Sequence, residues 1–399
     1  MIPNTSDIYT YGLKTANASS TRCRGSVVLD NPSDYLKDYQ LKVCYRKYKR
    51  KGNADPQKCN INLVFLHGNG MNKGLWHSHI DMIYKRFNSS DSGALINTVL
   101  AIDNVNHAHS AEVNKTKLGR VFNWNDAAKD VIRIIKEEEY EEYGRPDSIN
   151  IVVGHSMGGF IALRVSYLEP ILFDACVAIN PVCILNDEST ALLRSGLKRW
   201  IEKGFIKSSF DVPEGENLTK VVEDYYTQKS FFRKFDKTVL KNMLYDELSK
   251  PSKSNSVKSN DRVELNTPSD QEIITYLCGH ESVFPNMLTY KLIEVPVYHV
   301  VSELDSSSSK DVERARELLK NVVIPIEVRG TNHLINGEQP KLTVDILLLI
   351  IRQRIDSFTI NGDKRYMEKW AMKIYGNSYK QRVLSDIEQE KLGNGISKL

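Results

Sequence analysis

Short apolar runs recur along the chain at the spacing of buried strands. Runs such as Ile61–Leu66 and Ala175–Ile179 lack the alternation of half-exposed strands, which is typical of parallel strands covered on both faces. Amphipathic segments such as Asn125–Lys136 lie between them. This alternation predicts an α/β fold with a mostly parallel central sheet flanked by helices. The predicted strands are Ser26–Leu29, Leu41–Tyr48, Ile61–Leu66, Thr98–Ile102, Ile151–Val153, Ala175–Ile179, Val295–Val301 and Val322–Val328.

The pattern changes between the sixth and seventh predicted strands. Residues 181–293 contain helical segments (Ala191–Lys203, Asn217–Tyr226 and Phe231–Leu248) that are rich in aromatic residues, and they predict a helical cap or lid. Its aromatic side chains are candidates for an acyl pocket, although packing of the cap on the core accounts for most of them. Residues 250–270 are rich in Ser, Asn and Lys, which predicts a mobile loop.

The predicted domains follow from these patterns. The chain divides into a loosely ordered N-terminal segment, a core in two pieces, the cap, and a charged C-terminal extension after the last apolar helix, Leu342–Ile355. The predicted bounds are 1–22 for the N-terminal segment, 23–180 and 294–356 for the core, 181–293 for the cap and 357–399 for the extension.

Composition narrows the possible functions. The net charge is +4 over 399 residues, with Lys and Arg interleaved with Asp and Glu, so a nucleic-acid partner is not expected. The most apolar run, Ile346–Ile351, is far shorter than the roughly 20 residues of a membrane-spanning helix. The six cysteines show no metal-ligand spacing, and His107 and His109 lack further ligands nearby. We therefore expect no metal and no cofactor.

Both ends of the sequence bear on the compartment. Residues 1–21 lack the basic and apolar regions of a signal peptide, and cysteines within predicted strands favour a reducing compartment. The chain ends in Ser397, Lys398 and Leu399, the tripeptide that the peroxisomal import receptor reads. The sequence thus predicts a protein of the peroxisomal matrix with that receptor as a partner.

The stretch Asn150–Phe160 carries the clearest chemical signal. An apolar strand runs into Gly154-His155-Ser156-Met157-Gly158, and a helical pattern follows. A serine nucleophile at such an elbow has a strained backbone, and larger side chains two positions away on either side would collide. Gly154 and Gly158 therefore favour Ser156 as a nucleophile on a sharp strand-to-helix turn.

Later residues provide a base and an acid in a consistent order. His333 follows the last predicted strand and is positioned to take the Ser156 proton, while Asp305 follows the seventh strand and would orient the imidazole. The acid of such a triad can also follow the sixth strand, where this chain has Asn180. Glu303 and Asp187 are weaker alternatives for the acid.

An upstream turn completes the predicted site. His67-Gly68-Asn69-Gly70 comes directly after the strand Ile61–Leu66, at the edge where α/β sheets bind ligands. The N–H groups of Asn69 and Met157 are the predicted oxyanion hole. An ordinary strand-to-helix turn would also explain the glycines of this segment.

These segments together resemble the α/β-hydrolase family. The resemblance rests on His67-Gly68, on the Asp103–Ser110 segment and on Gly154–Gly158, and it covers the N-terminal half of the core best. Four stretches (62–73, 102–111, the run from Leu118, and 152–160) are more narrowly similar to the peroxisomal lipases of yeasts. The resemblance implies an α/β-hydrolase fold and lipase-like hydrolysis of acyl glycerols or phospholipids, with Ser156 and His333 as catalytic residues.

Three functions remain open from the sequence. The first is hydrolysis of a carboxylic ester through an acyl-enzyme on Ser156. The second is a peroxisomal acyl-CoA thioesterase with the same triad, for which the basic segment Lys250–Lys258 is a candidate phosphate contact. The third is a catalytically quiet binding protein that keeps the hydrolase fold.

Overall fold

A computed structural model describes most of the chain and assigns ten strands within the described residues. The described part is 6–358 without 21, 30–40, 53–57, 88–92, 146, 214–215, 249–261 and 306. The strands are β1 (Tyr9–Asn17), β2 (Lys42–Arg50), β3 (Cys59–Leu66), β4 (Ala94–Ile102), β5 (Ser148–His155), β6 (Ala175–Ile179), β7 (Ser209–Asp211), β8 (Arg262–Glu264), β9 (Val297–Leu304) and β10 (Val323–Asn332).

Eight of these strands form one twisted central sheet. Its order is β1-β2-β4-β3-β5-β6-β9-β10, and every pair from β4 to β10 is parallel. Strands β1 and β2 pair with their neighbours in the antiparallel sense. This mostly parallel sheet confirms the predicted fold class. Because its parallel strands are joined by helical crossovers, their carboxyl ends lie at one edge of the sheet.

Helices cover both faces of the sheet, and each face has its own apolar core. The helices are α1 (His77–Arg86), α2 (Ala108–Val113), α3 (Trp124–Arg133), α4 (Tyr140–Tyr143), α5 (Met157–Leu168), α6 (Asp187–Glu202), α7 (Leu218–Gln228), α8 (Lys237–Glu247), α9 (Ser269–Leu277), α10 (Gly279–Val283), α11 (Ser309–Leu318), α12 (Ile335–Glu338) and α13 (340–358). Short 3-10 segments cover Lys73–Trp76 and Phe284–Leu292.

The N-terminal segment differs from the sequence prediction. Residues 9–17, expected to be loosely ordered, form β1 along the whole length of β2. Only Tyr9 and Ala16 of this edge strand are fully buried, so its sequence shows no apolar alternation. The predicted strand Ser26–Leu29 was wrong, because this segment makes only one bridge, between Val27 and Leu118.

Residues 181–293, hereafter the insertion, lie between β6 and β9 as predicted by the change in pattern. They contain helices α6 to α10 and the two-stranded β7–β8 sheet. The predicted helix Phe231–Leu248 begins later, at Lys237, because Asp236 caps it there through the N–H groups of Thr238 and Val239.

Two predicted segments fall largely outside the described residues. Residues 249–261 of the predicted mobile loop are not described, whereas 262–270 contribute β8 and the start of α9. The C-terminal extension, including Ser397, Lys398 and Leu399, lies outside the described residues beyond position 358.

Candidate active site

Ser156 lies at the sharp turn between β5 and α5. Its φ and ψ angles of 56° and −118° place a non-glycine residue in the left-handed half of the Ramachandran map, which is a strained conformation. A β-carbon on Gly154 would overlap the backbone of Gly158, and one on Gly158 would overlap the carbonyl of Leu66. Glycine is therefore required at both positions, and the turn holds the Ser156 side chain above the sheet.

Three side chains that the sequence singled out form one hydrogen-bonded chain. The His333 Nε2 atom lies 3.0 Å from the Ser156 Oγ, and the His333 Nδ1 atom lies 2.7 Å from Asp305 Oδ2. The Asp305 side chain is almost fully buried, whereas the His333 ring is 29% exposed. With a proton on Nδ1 bonded to the carboxylate, the Nε2 lone pair of the imidazole faces the serine hydroxyl.

The surroundings of Asp305 keep it ionised. Burial raises the pKa of this carboxyl, but the hydrogen bond and charge of His333 and the 2.7 Å bond from the Ser307 N–H together lower it below its usual value. The weaker alternatives lie elsewhere: Glu303 accepts a bond from the Gly330 N–H, and Asp187 is exposed at the start of α6.

The turn after β3 lies beside this chain. Asn69 and Met157 both line the cavity that contains Ser156. Met157 is the first residue of α5, so its N–H has no acceptor within the helix. The side chain of Asn69 is fixed on two sides, because Oδ1 accepts the Gly70 N–H at 3.0 Å and Nδ2 donates to the Glu272 carbonyl at 3.0 Å.

His107 and His109 have partners in different parts of the site. His107 is buried, with Nε2 3.0 Å from Asn69 Oδ1 and Nδ1 2.8 Å from Asn106 Oδ1. His109 Nδ1 lies 2.9 Å from the Lys73 Nζ. Within the described ranges, no group of three His, Cys, Asp or Glu side chains is arranged to hold a metal ion.

A cavity of about 530 Å³ opens over Ser156, a size typical of small-molecule sites. The core provides its polar end, with His155, Ser156, Asp305 and His333. The insertion provides most of the apolar wall, together with Trp124 of α3. Representative wall residues are Trp124, Leu185, Leu192, Trp200, Phe232 and Tyr276.

The aromatic residues of the insertion divide between the cavity and the core. Trp200, Phe231 and Phe232 line the cavity, whereas Phe210 and Tyr225 pack edge to face against each other away from it. Sequence periodicity did not distinguish these two groups, because both have aromatic side chains on amphipathic segments.

Sequence reasoning did not predict two side-chain contacts to the His333 loop, from His155 and from Asn180, although it placed Asn180 in an alternative position for the acid. His155 Nε2 donates to the His333 carbonyl at 2.7 Å, and Asn180 Nδ2 donates to the same carbonyl at 3.1 Å. Burial lowers the pKa of His155 to about 3, so its ring is neutral at ordinary pH. The available signal was their place at the carboxyl ends of β5 and β6, where His155 is the last residue of its strand and Asn180 directly follows its strand.

Comparison with known proteins identifies relatives of this chain. The model of the alpha/beta hydrolase family matches residues 63–346, which is more than half of the chain. The peroxisomal membrane protein LPX1 of Saccharomyces cerevisiae is 28% identical over 348 residues, covering 83% of this chain and 84% of that protein. A type I acyl-CoA thioesterase, mpaH, of Penicillium roqueforti is 28% identical over 167 residues, covering 40% of this chain and 37% of that protein.

A solved structure gives the same likeness. The peroxisomal alpha-beta-hydrolase Lpx1 of Saccharomyces cerevisiae superposes with a TM-score of 0.71 and 25% identity, covering 88% of this chain and 90% of that chain. Although the yeast sequence relative is described as a membrane protein, none of the helices in the described part of the present chain is long and apolar enough to span a bilayer.

Proposed function

The chain belongs to the alpha/beta hydrolase family, and on this premise we propose that it is a serine carboxylic-ester hydrolase of the lipase or esterase type. The observation that carries the proposal is the continuous hydrogen-bonded chain from Ser156 through His333 to Asp305 at the elbow. A serine hydroxyl is inert at its ordinary pKa and becomes nucleophilic when an adjacent base takes its proton.

In the acylation step, the Ser156 Oγ attacks the ester carbonyl while its proton moves to His333 Nε2. Asp305 stabilises the resulting imidazolium and keeps the proton on Nδ1. The imidazolium then donates the Nε2 proton to the alcohol oxygen as the ester bond breaks. The products are a free alcohol and an acyl-enzyme on Ser156.

Water completes the cycle by the same groups in reverse. His333 takes a proton from water, the hydroxide attacks the acyl carbon, and the proton returns to Ser156 as the acid leaves. In both steps the N–H groups of Asn69 and Met157 are the proposed donors to the developing oxyanion. A single donor of this kind contributes on the order of 100-fold or more to kcat.

The cavity supports an apolar acyl group as the substrate. The wall residues from the insertion and Trp124 offer aromatic and aliphatic surface, which favours burial of a hydrocarbon chain beside Ser156. Acyl glycerols and phospholipids both combine such a chain with a carboxylic ester. We infer the acyl glycerol or phospholipid type on this basis.

The proposed compartment is the peroxisomal matrix. It is supported by the tripeptide Ser397-Lys398-Leu399 in the sequence and by similarity to a yeast peroxisomal protein. A fluorescent protein fused ahead of residue 1 should enter peroxisomes with the intact chain and remain outside them when Leu399 is removed. Equal import of both forms would contradict the assignment.

The direct test of the catalytic proposal uses a fluorophosphonate probe and a panel of acyl esters. The wild-type protein should be labelled at Ser156 and should hydrolyse the esters, whereas Ser156→Ala should lose both properties. Ser195→Ala on the exposed surface of α6 is the matched control and should behave as wild type. Full esterase activity in Ser156→Ala would overturn the mechanism, and absence of labelling would favour the quiet binding protein.

A second candidate is an acyl-CoA thioesterase with the same triad. It is favoured by the partial similarity to mpaH and by Arg199, an exposed cation in the cavity lining that could meet a CoA phosphate. The basic segment 250–258 lies outside the described residues. Turnover of an acyl-CoA and of the matching glycerol ester separates the candidates, since Arg199→Gln should slow only the acyl-CoA reaction.

A further inference from the structure

Asn180 occupies a constrained position at the carboxyl edge of the sheet. It directly follows β6, is 2% exposed and has a φ angle of +42°, which few non-glycine residues adopt. Asparagine tolerates this region better than most side chains. In this fold an acid can stand at this place, but here the residue is an uncharged amide.

The amide of Asn180 bonds to two segments at this edge, β9 and the loop after β10, whose strands also pair with each other in the sheet. Its Oδ1 accepts the Ser302 N–H at 2.8 Å, and its Nδ2 donates to the Ser302 Oγ at 3.0 Å. The same Nδ2 lies 3.1 Å from the carbonyl of His333 and 3.3 Å from that of Asn332. One side chain therefore contacts both β9 and the loop after β10.

Each of these segments carries one of the proposed catalytic side chains. The Ser302 carbonyl accepts the Asp305 N–H at 3.0 Å, so Ser302 fixes the turn that presents the acid. The loop on the other side of the amide contains the base itself. His155 adds a second donor to the His333 carbonyl.

We propose that Asn180 is a positioning residue that holds Asp305 and His333 at hydrogen-bonding distance by tying their two loops to one amide. The inference rests on the proposed function. This positioning role requires an amide, because the contacts of the side chain use one acceptor and one donor at the same time. A carboxylate of the same shape would accept from Ser302 but would face two carbonyl oxygens without a proton to share.

The test compares Asn180→Gly and Asn180→Asp with wild type. The glycine variant suits the positive φ and removes only the side-chain bonds, while the aspartate variant keeps the shape. Both should lower kcat by about 100-fold with KM within about threefold, because small misplacements of a base cost that much. Ser302→Ala, which removes one acceptor that does not touch His333, should lower kcat by less than about threefold.

A pH profile distinguishes positioning from loss of fold. In Asn180→Asp the new carboxylate favours the protonated imidazole, so the acid limb of the kcat profile should move to higher pH, by about one unit. In Asn180→Gly the limb should stay in place while the plateau falls. Thermal unfolding of each variant is measured alongside.

Several results would overturn the inference. Wild-type kcat in a folded Asn180→Gly protein would show that the amide is not needed. Recovery of activity when Asn180→Asp is added to Asp305→Asn would show that a carboxylate at position 180 supports catalysis, so that the amide is not required there. Full activity of Asp305→Asn alone would instead contradict the proposed triad, so the two failures are distinguishable.

Discussion

Helices α8 and α6 belong to the same insertion but are held by different interactions. Helix α8 delivers Asp246 into the core, where its carboxylate lies 2.6 Å from Arg46 and 3.3 Å from Lys73. All three side chains are nearly or fully buried, and Lys73 also contacts Asp103 at 2.6 Å. Helix α8 is therefore joined to the core by charges that cannot separate without a large desolvation penalty.

Helix α6 has no comparable connection in the described structure. Its charged contacts to the rest of the protein, Arg194 to Glu281 at 3.9 Å and Asp187 to His280 at 3.6 Å, are long and stay within the insertion. Among its apolar side chains, Trp200 packs on Phe231 and Tyr276. Exposed charged pairs such as Arg194–Glu281 contribute little to stability.

This difference in contacts gives the helices different roles: α8 and α9 stabilise the fold, whereas α6 forms part of the cavity wall. Helix α8 and its neighbour α9 bind the segment that contains the proposed oxyanion donor, through Asn72 to Glu247 at 2.8 Å and Asn69 to Glu272 at 3.0 Å. Helix α6 instead lines the cavity with an exposed leucine. We expect substitutions near α8 and α9 to change folding, and substitutions on α6 to change substrate binding.

The largest expected effect comes from removing the buried cation. Lys73→Met leaves Asp103 and Asp246 without a shared partner and should lower the free energy of unfolding by about 3–5 kcal/mol. Lys198→Met on α6 removes an exposed contact to Glu202 at 4.0 Å and should change it by less than about 0.5 kcal/mol. Urea unfolding of both variants measures the contrast, and equal losses would remove it.

One contribution to the pH dependence of stability should come from Glu247 on α8. Burial raises the pKa of Glu247 from 4.5 to about 7. The folded protein then holds this proton to higher pH than the unfolded chain, so its contribution to stability falls as pH rises from about 4.5 to about 7 and is constant above. The decline should be about 3 kcal/mol at most.

Urea unfolding between pH 5 and pH 8 measures this decline. Glu247→Gln should remove this contribution, so that stability falls less, or rises more, between pH 5 and pH 7 than in wild type, whereas Glu202→Gln on α6 should leave the wild-type slope unchanged. The difference between variant and wild-type slopes isolates the Glu247 proton from other titrating groups. A Glu247→Gln curve as steep as that of wild type would assign the pH dependence elsewhere.

A smaller contrast tests the hydrogen bonds of α9. Thr275 Oγ1 accepts the Asn106 amide at 2.8 Å in a fully buried position, so Thr275→Val should cost about 1–2 kcal/mol. Thr190 on α6 has a buried hydroxyl without a hydrogen-bond partner in the described structure, so Thr190→Val should be neutral or slightly stabilising. Calorimetry of the two isosteric variants gives the comparison.

A substitution in the cavity wall of α6 should have the smallest effect on stability but should weaken substrate binding. Leu192 of α6 is 68% exposed and lines the cavity, so Leu192→Ser should change the unfolding free energy by less than about 0.5 kcal/mol. Its KM for long-chain esters should rise by about 3–10-fold, because a lost hydrophobic contact is worth about 1 kcal/mol or somewhat more. Leu288→Ser, 67% exposed but outside the cavity lining, should leave KM unchanged.

The sequence predicted those features that depend on local order. Ser156 was identifiable because glycines flank it at fixed spacing between an apolar run and a helix. Asp305 and His333 were identifiable because each follows a predicted strand, and parallel strands deliver such residues to one edge. A hydrogen-bonded chain of this kind could therefore be expected from the sequence, and the 2.7 Å contact to His333 favours Asp305 over Glu303 and Asp187 as the proposed acid.

Features that depend on distant pairs could not be predicted. Lys73 lies in a polar turn in the sequence, and nothing nearby reveals that its partner Asp246 comes from the insertion. The sequence placed Asn180 after the sixth strand but did not reveal its contacts, because its partners at 302 and 333 are more than a hundred residues away. Strand β1 was missed for a different reason, since an edge strand with two buried residues has no readable period.

The ion pair between Arg46 and Asp246 also has a consequence for synthesis of the chain. Its two members are 200 residues apart, so Arg46 leaves the ribosome long before its partner exists. Until α8 is made, Asp103 is, among the described residues, the one buried counter-ion in this cluster for both Arg46 and Lys73. Burying two cations with one carboxylate carries a large desolvation penalty, which opposes folding of the N-terminal half. We therefore expect the core to finish folding only after the insertion is complete, which makes nascent chains shorter than about 250 residues the ones that depend most on chaperones.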